Sequence, residues 1–333
     1  MKKVCVLGAG SWGTALALVL ARNNNDVILW TRDENQRDLI NNQRKNDKYL
    51  KGIYMYENIK STCDLNEAIE GSELVIIATP SQTIRDLSRK IKQYISKEQI
   101  IVSVSKGLEK GSGLRISEVI KQEIDYAKVS VLSGPSHAEE VALELPTTIV
   151  VASTSSDISL KVQDLFMNNS FRVYTNDDLI GVELGGTLKN IIAFGSGICD
   201  GIGYGDNTKA ALITRGLAEI KRLGVMLGAK EETFSGLSGI GDLIVTCTSP
   251  HSRNKKAGML IGQGENLENT LKEVKMVVEG IVATDVVYNL SKKLNIEMPI
   301  TSAIYSILYE NMSAKDAVNN LMSRDGKSEL SIY

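Results

Sequence analysis

The chain has 333 residues, of which 43% are hydrophobic and 23% charged, a balance typical of a soluble globular protein of about two domains. The formal net charge of -2 argues against a general nucleic-acid binder. The sequence contains no run of about 18 apolar residues, so we expect no membrane-spanning helix. The four scattered cysteines and two histidines show no metal-ligand spacing, so we expect free thiols, no metal site and a cytoplasmic protein.

A glycine-rich turn follows the first strand-like run. Gly8, Gly10 and Gly13 lie between the apolar run Val4–Leu7 and a helix-like run, Thr14–Ala21. Glycines at this spacing allow a sharp turn and the close approach of a phosphate, and the N-terminus of the following helix attracts an anion. The pattern predicts a dinucleotide pyrophosphate site. The same glycines interrupt a stretch that would otherwise imitate a signal peptide.

Strand-like and helix-like segments alternate through the first half of the chain. Unbroken apolar strands separated by helices are typical of a parallel sheet that is covered on both faces. The polar stretch Asn46–Tyr56 is expected to be a surface excursion. The predicted strands are Val4–Leu7, Val27–Trp30, Leu74–Ala78, Ile100–Val104, Val129–Leu132, Thr147–Ala152 and Phe171–Tyr174, and the predicted helices are Thr14–Ala21, Glu34–Asn41, Asp64–Ile69 (capped by Asp64), Ser81–Tyr94 (capped by Ser81), His137–Leu143 and Asp157–Met167.

Residues that follow the strands are candidates for ligand binding, because the carboxyl ends of parallel strands share one edge of the sheet. Arg32 and Asp33 follow the second strand; an arginine there favours NADPH, whose 2′-phosphate it can hold, and leaves NADH open. Lys106 can reach a phosphate or carbonyl oxygen, or it can simply be solvated. Gly134 and Ser136 can present hydrogen-bond donors to a substrate, or they can form a turn without chemistry.

The second half of the chain is predicted to be helical. The fold class is therefore an α/β N-terminal Rossmann-type domain with a mostly parallel, doubly wound sheet, at residues 1–177, followed by an all-α C-terminal domain, at residues 178–333. The predicted helices are Leu179–Cys199, Thr208–Leu227, Ala257–Gly262, Thr270–Val274, Gly280–Leu294, Thr301–Tyr309 and Ala314–Met322.

The first of these helices carries a lysine among apolar residues. Lys189 has Leu188 and Ile191 as near neighbours, and desolvation in such surroundings lowers a lysine pKa toward a value useful for acid–base catalysis. Asn190 can orient a hydroxyl. Two glycines at 185 and 186 indicate either close helix packing or the approach of a ligand to the backbone.

Two further polar segments follow. Asp242 lies in a run of small and flexible residues, Phe234–Leu243. Ser252, Arg253 and Asn254 are consecutive hydrogen-bond donors, and an arginine can grip a phosphate with two parallel bonds.

Taken together, these motifs resemble the bacterial NAD(P)-dependent glycerol-3-phosphate dehydrogenases. The resemblance runs in order along nearly the whole chain. The matching segments are Gly-Ala-Gly-Ser-Trp-Gly at 8–13, Ser-Lys-Gly-Leu-Glu at 105–109, Ser-Gly-Pro-Ser at 133–136, Glu-Leu-Gly-Gly-Thr-Leu-Lys-Asn at 183–190, Gly-Asp-Leu at 241–243 and Ser-Arg-Asn at 252–254.

The resemblance implies a reaction and a set of residue roles. Dihydroxyacetone phosphate would be reduced by NADPH or NADH to sn-glycerol 3-phosphate for phospholipid synthesis, by a homodimer. Lys189 would be the acid in reduction and the base in oxidation, and Lys106 would lie near both substrate and nicotinamide. The implied substrate residues are Lys106, Gly134, Ser136, Lys189, Asp242, Ser252, Arg253 and Asn254, and the implied cofactor residues are Gly8, Gly10, Ser11, Trp12, Gly13, Arg32, Lys106, Ala138, Arg253, Val277 and Glu279.

Two alternative functions remain at this point. One is a two-domain dehydrogenase of the 3-hydroxyacid or 6-phosphogluconate type, which would use a similar lysine. The other is a nucleotide-sensing protein without turnover, against which a lysine in an apolar helix argues.

Overall fold

A computed structural model describes residues 2–326, 328 and 329. The chain forms two compact units. One contains the residues up to Ser105 together with Arg115–Leu179, and the other contains Lys106–Leu114 together with the residues from Ile180 onward. The domain boundary between residues 177 and 178 stays a prediction.

An eight-stranded sheet forms the first unit, with a separate two-stranded hairpin. The apolar strands in its middle are buried along nearly their whole length, as expected where helices cover both faces of a sheet. The strands are β1 (Lys3–Leu7), β2 (Asp26–Trp30), β3 (Lys45–Asn46), β4 (Leu50–Tyr54), β5 (Ile59–Thr62), β6 (Leu74–Ile77), β7 (Ile100–Ser103), β8 (Lys128–Ser133), β9 (Thr147–Ala152) and β10 (Phe171–Asn176).

The strand order is β10-β9-β8-β7-β6-β1-β2-β5, with β3 and β4 as the hairpin. Val4 of β1 pairs with Val27 of β2 on one side and with Leu74 of β6 on the other, both in parallel. The strand order therefore proceeds from β1 to β2 on one side and from β1 to β6 on the other. This reversal makes the carboxyl end of β1 a topological switch point. The predicted mostly parallel sheet is confirmed, with β8 and β9 as the antiparallel pair.

Seven helices of the described residues flank these strands. Asp64 caps its helix as predicted, because its carboxylate accepts the backbone N–H groups of Asn66 and Glu67 at 2.7 and 3.1 Å. Ser81 does not: it begins a 3-10 turn, and the helix that follows has no side-chain cap. The helices are α1 (Ser11–Arg22), α2 (Glu34–Gln43), α3 (Leu65–Ile69), α4 (Ile84–Ile91), α5 (Ile116–Glu123), α6 (Ala138–Ala142) and α7 (Ser156–Phe166).

The second unit is helical, as predicted. A short 3-10 helix, Glu231–Ser235, and a π-helical turn, Leu237–Gly241, lead directly into a helix that begins at Asp242. Within the described residues, no helix combines the length and apolarity that a membrane span requires. The helices are α8 (Leu179–Ile202), α9 (Asp206–Met226), α10 (Asp242–Thr248), α11 (Arg253–Gly262), α12 (Leu267–Val274), α13 (Glu279–Lys293), α14 (Pro299–Tyr309) and α15 (Ala314–Met322).

Helices α8 and α11 contact each other backbone to backbone. A Cβ built at Gly197 of α8 would lie 2.0 Å from the carbonyl oxygen of Lys255, and one at Gly258 of α11 would lie 2.0 Å from that of Phe194. Gly201 and Gly262 continue the contact one turn further along. Four glycines therefore bring the two helices closer together than any side chain would allow.

Candidate active site

The turn after β1 has the shape of an anion-binding site. Gly8 has φ of +120°, and a Cβ there would lie 2.7 Å from the carbonyl oxygen of Ala78; one at Gly13 would lie 1.9 Å from that of Gly8. Around Gly10, by contrast, a Cβ would meet nothing within 4 Å. Helix α1 has neither a capping side chain nor an acidic residue in its first turn. Its N-terminal N–H groups therefore favour an anion such as a pyrophosphate, and the open space at Gly10 allows one to approach.

Arg32 and Asp33 take different roles at the end of β2. Arg32 is exposed. One carboxylate oxygen of Asp33 accepts the N–H of Gln36 at 3.2 Å and caps α2. The other lies 4.0 Å from Nζ of Lys48. One of the two Asp33 carboxylate oxygens is thus occupied in capping α2.

Three charged side chains meet in the helical unit. Lys189 of α8 and Asp242 of α10 form a buried ion pair, with relative exposures of 5% and 1%. Lys106 donates from Nζ to the second oxygen of the same carboxylate at 2.7 Å. Lys189 also donates to the hydroxyl of Thr246 at 2.6 Å. One carboxylate is therefore shared by two ammonium groups.

This arrangement changes the acidity of the lysine. Burial lowers the pKa of Lys189 from 10.5 to about 7, and the neighbouring charge of Lys106 acts in the same direction, against the attraction of Asp242. Burial alone would raise the pKa of Asp242, but the two lysines hold it below its usual value. Lys189 can thus give up or take a proton near neutral pH while Asp242 stays ionised.

A chain of amide hydrogen bonds connects this cluster to α11. Asn190 donates to the carbonyl of Lys106 at 3.2 Å and accepts from the amide of Asn254 at 2.9 Å. Asn254 in turn accepts the N–H of Gly280 at 2.9 Å. The sequence suggests that Asn190 orients a hydroxyl, but in the structure its amide bonds within the protein.

The N-terminus of α11 is the second feature suited to an anion. Ser252 caps it by accepting the N–H of Lys255 at 3.2 Å, and the first turn has no acidic residue. Ser252 and Asn254 are buried, whereas Arg253 between them is exposed.

The remaining predicted residues lie on several elements. In the turn between β8 and α6, Gly134 has φ of +136° and Ser136 donates to the Gly134 carbonyl at 2.8 Å, while Ala138 begins α6. In the helical unit, Val277 is exposed before α13, and Glu279 is the first residue of that helix.

Two observations go beyond the sequence interpretation. Thr246 is a partner of Lys189 that was not singled out, although it stands four residues after Asp242, the spacing that places two side chains on one helix face. At Gly185, a Cβ would lie 2.5 Å from the carbonyl oxygen of Ser238, so close packing explains this glycine.

Two family descriptions match the chain. Residues 3–159 match NAD-dependent glycerol-3-phosphate dehydrogenase N-terminus, and residues 178–319 match NAD-dependent glycerol-3-phosphate dehydrogenase C-terminus. Glycerol-3-phosphate dehydrogenase (NAD(P)+) of Clostridium perfringens is 54% identical over 329 residues, which is 99% of each chain. The enzyme of the same name from Listeria monocytogenes is 53% identical over 331 residues, 98% of each chain.

Solved structures of known proteins also resemble this chain. The crystal structure of glycerol-3-phosphate dehydrogenase from Coxiella burnetii matches with a TM-score of 0.93 and 41% identity, over 97% of this chain and 99% of that one. D-mandelate dehydrogenase matches with a TM-score of 0.64 at 12% identity, over 95% of this chain and 99% of that one, which shows a shared fold alone.

Proposed function

The chain belongs to the NAD-dependent glycerol-3-phosphate dehydrogenase family, and from this membership we infer that it reduces dihydroxyacetone phosphate to sn-glycerol 3-phosphate with NAD(P)H, supplying glycerophospholipid synthesis. The observation that carries the mechanism is the ion-paired group of Lys189, Asp242 and Lys106, in which Lys189 and Asp242 are buried. The reaction is reversible, and the same residues serve both directions.

Lys189 is the proton donor in reduction. A bound dinucleotide would supply a hydride to the carbonyl carbon, and negative charge would then develop on the carbonyl oxygen. The Nζ group of Lys189 gives a proton to that oxygen as the carbon–oxygen double bond becomes single, and the neutral amine regains a proton from solvent. A pKa of about 7 supports this role, because such an amine is present in both protonation states near neutral pH.

Asp242 and Lys106 prepare Lys189 for that step. Asp242 orients the Lys189 ammonium through their ion pair and is itself held by Lys106 from the other side. Lys106 opposes the attraction of Asp242 and so keeps the Lys189 pKa low. Lys106 also contacts substrate and nicotinamide in this proposal, as the resemblance implies.

The substrate phosphate binds at the start of α11. Exposed Arg253 supplies charge, and the N–H groups at the start of α11 other than that of Lys255, which Ser252 caps, supply hydrogen bonds; together they suit a phosphate dianion. Ser252 and Asn254 complete this group. Gly134 and Ser136 are the further substrate residues that the family resemblance implies.

The cofactor pyrophosphate binds at the Gly8–Gly13 turn and the first residues of α1, Ser11 and Trp12. We favour NADPH over NADH, because Arg32 is exposed and the Asp33 carboxylate is partly engaged in capping α2. Ala138, Arg253, Val277 and Glu279 are the remaining proposed cofactor contacts. The homodimeric state and the cytoplasmic location stay predictions.

The test is a steady-state assay of NADPH and NADH oxidation with dihydroxyacetone phosphate. A 3-keto acid and 6-phosphogluconate (with NADP+) serve as control substrates for the alternative dehydrogenase types. We expect turnover with dihydroxyacetone phosphate and a higher kcat/KM for NADPH than for NADH. Turnover of a control substrate alone would overturn the substrate assignment, and binding of the dinucleotide without any turnover would favour a sensor.

A further inference from the structure

Two buried amide side chains lie against the glycine turn and have no role in the proposed reaction. Gln36 of α2 and Asn46 of the hairpin are 7% and 3% exposed. Nε2 of Gln36 donates to the carbonyl oxygen of Ala9 at 2.6 Å, and Nδ2 of Asn46 donates to the same oxygen at 2.9 Å. The middle of the turn is therefore held by two donors from distant parts of the chain.

Further hydrogen bonds fix the orientation of both amides. The hydroxyl of Thr31, at the end of β2, donates to Oε1 of Gln36 at 2.6 Å. Gln36 also donates to Oδ1 of Asn46 at 2.9 Å, and Asn46 donates to the hydroxyl of Thr14 at 2.8 Å. Rotating either amide by 180° would place its oxygen against the oxygen of Ala9, so the network has one favourable arrangement.

This network also fixes the direction of a backbone donor. No cis peptide bond occurs among the described residues, so the N–H of Gly10 points away from the Ala9 carbonyl. Because Gln36 and Asn46 hold that carbonyl inside the protein, they turn the Gly10 N–H the opposite way. Gly10 is also the turn glycine with open space around its Cβ position.

We propose that Gln36 and Asn46 are positioning residues that hold the Gly8–Gly13 turn in the conformation that binds the cofactor pyrophosphate. The proposal rests on the proposed function, which assigns the pyrophosphate to this turn. It also gives the hairpin of β3 and β4 a purpose: Asn46 belongs to β3, and the hydroxyl of Ser11 donates to the carbonyl of Tyr49 in the hairpin turn at 2.9 Å.

The experiment compares Asn46→Ala with a matched control, Asn41→Ala. Asn41 of α2 makes a similar pair of bonds, donating to the carbonyl of Ser61 at 2.9 Å and accepting its N–H at 2.8 Å, but it does not contact the turn. We expect Asn46→Ala to raise the Kd for NADPH about tenfold. Without Asn46 the Ala9 carbonyl is held less firmly, so the Gly10 N–H of the same peptide is misoriented and its hydrogen bond to the pyrophosphate is weaker. Asn41→Ala should bind NADPH as the wild type does.

Kinetics separate positioning from a general loss of structure. For Asn46→Ala, the KM for NADPH should rise with its Kd, while kcat at saturating NADPH falls far less than kcat/KM. Gln36→Met, which keeps the length of the side chain and removes its donors, provides a second measurement if Asn46→Ala does not fold.

The outcomes distinguish this proposal from the proposed function. If the wild type oxidises NADPH with dihydroxyacetone phosphate and the folded variants bind NADPH as tightly as Asn41→Ala, the positioning role is wrong and the function stands. Equal losses of NADPH affinity in Asn46→Ala and Asn41→Ala also contradict it. Absence of binding of both NADPH and NADH by the wild type would contradict the function itself.

Discussion

The shared carboxylate makes the acidity of Lys189 adjustable in both directions. Asp242 attracts the ammonium form of Lys189, and Lys106 repels it. Removing the carboxylate with Asp242→Asn should therefore lower the Lys189 pKa, and removing the second cation with Lys106→Met should raise it. A single charge within contact distance shifts a pKa by about one to three units.

The magnitude follows from the pKa of about 7 for Lys189. Reduction needs the protonated amine, so kcat/KM is constant below this pKa and falls above it. A downward shift of about one unit already reduces the protonated fraction at neutral pH from about one half to about one tenth. The falling limb of the profile should thus move to lower pH in Asp242→Asn and to higher pH in Lys106→Met.

The assay is kcat/KM for dihydroxyacetone phosphate at saturating cofactor, measured from about pH 5 to about pH 9. Both substitutions will lower the maximal rate, so the position of the limb is compared, not its height. Limbs that do not move, or that move the same way in both variants, would refute the assignment of this pKa to Lys189.

Three further predictions address the acid, the cofactor and the fold. Lys189→Ala should keep NADPH binding and lose nearly all turnover, whereas Lys221→Ala, which removes an ion pair with Glu231 elsewhere in the helical unit, should keep both; full activity of Lys189→Ala in the dihydroxyacetone phosphate assay would contradict its role. Arg32→Ala should raise the KM for NADPH more than that for NADH, and equal increases would argue against a 2′-phosphate contact. Gly197→Ala should lower the free energy of unfolding by about 2 kcal/mol in urea titrations because its methyl group meets a backbone carbonyl, whereas Gly195→Ala meets a flexible end of Ile304 and should cost less.

Much of the fold follows from patterns along the chain. Continuous apolar runs such as Leu74–Ile77 predict buried parallel strands, and these are found. The direction of β9 could not be predicted, since an apolar run indicates burial but not whether its neighbour is parallel. The sequence does not predict the short edge strand β5, because only one of its four residues is apolar and its partner strand β2 lies about 30 residues earlier in the chain. It does not predict the hairpin either, because β3 has only two residues and the pairing is irregular between Lys45 and Asn46.

The sequence predicts which residues belong to the site better than it predicts which of them contact each other. The apolar neighbours of Lys189 predict its desolvation, and its burial confirms that expectation. Its partners could not be deduced, because Asp242 stands 53 positions further along and Lys106 approaches from a segment that follows a strand. The network on Ala9 was invisible for the same reason: Asn46 looks like an ordinary loop residue until the hairpin folds back.

The glycine contact between α8 and α11 bears on which substrates the enzyme can accept. Lys189 and Asn190 belong to one of these helices, and Arg253 and Asn254 to the other. Because the two backbones are in contact at these glycines, the helices cannot slide past each other by repacking side chains. In the proposed mechanism, this fixes the distance between the Lys189 amine and the phosphate bound at the start of α11. A phosphorylated ketone with one more carbon between its two functional groups should bind without reacting well, because only one of its ends can be seated at a time.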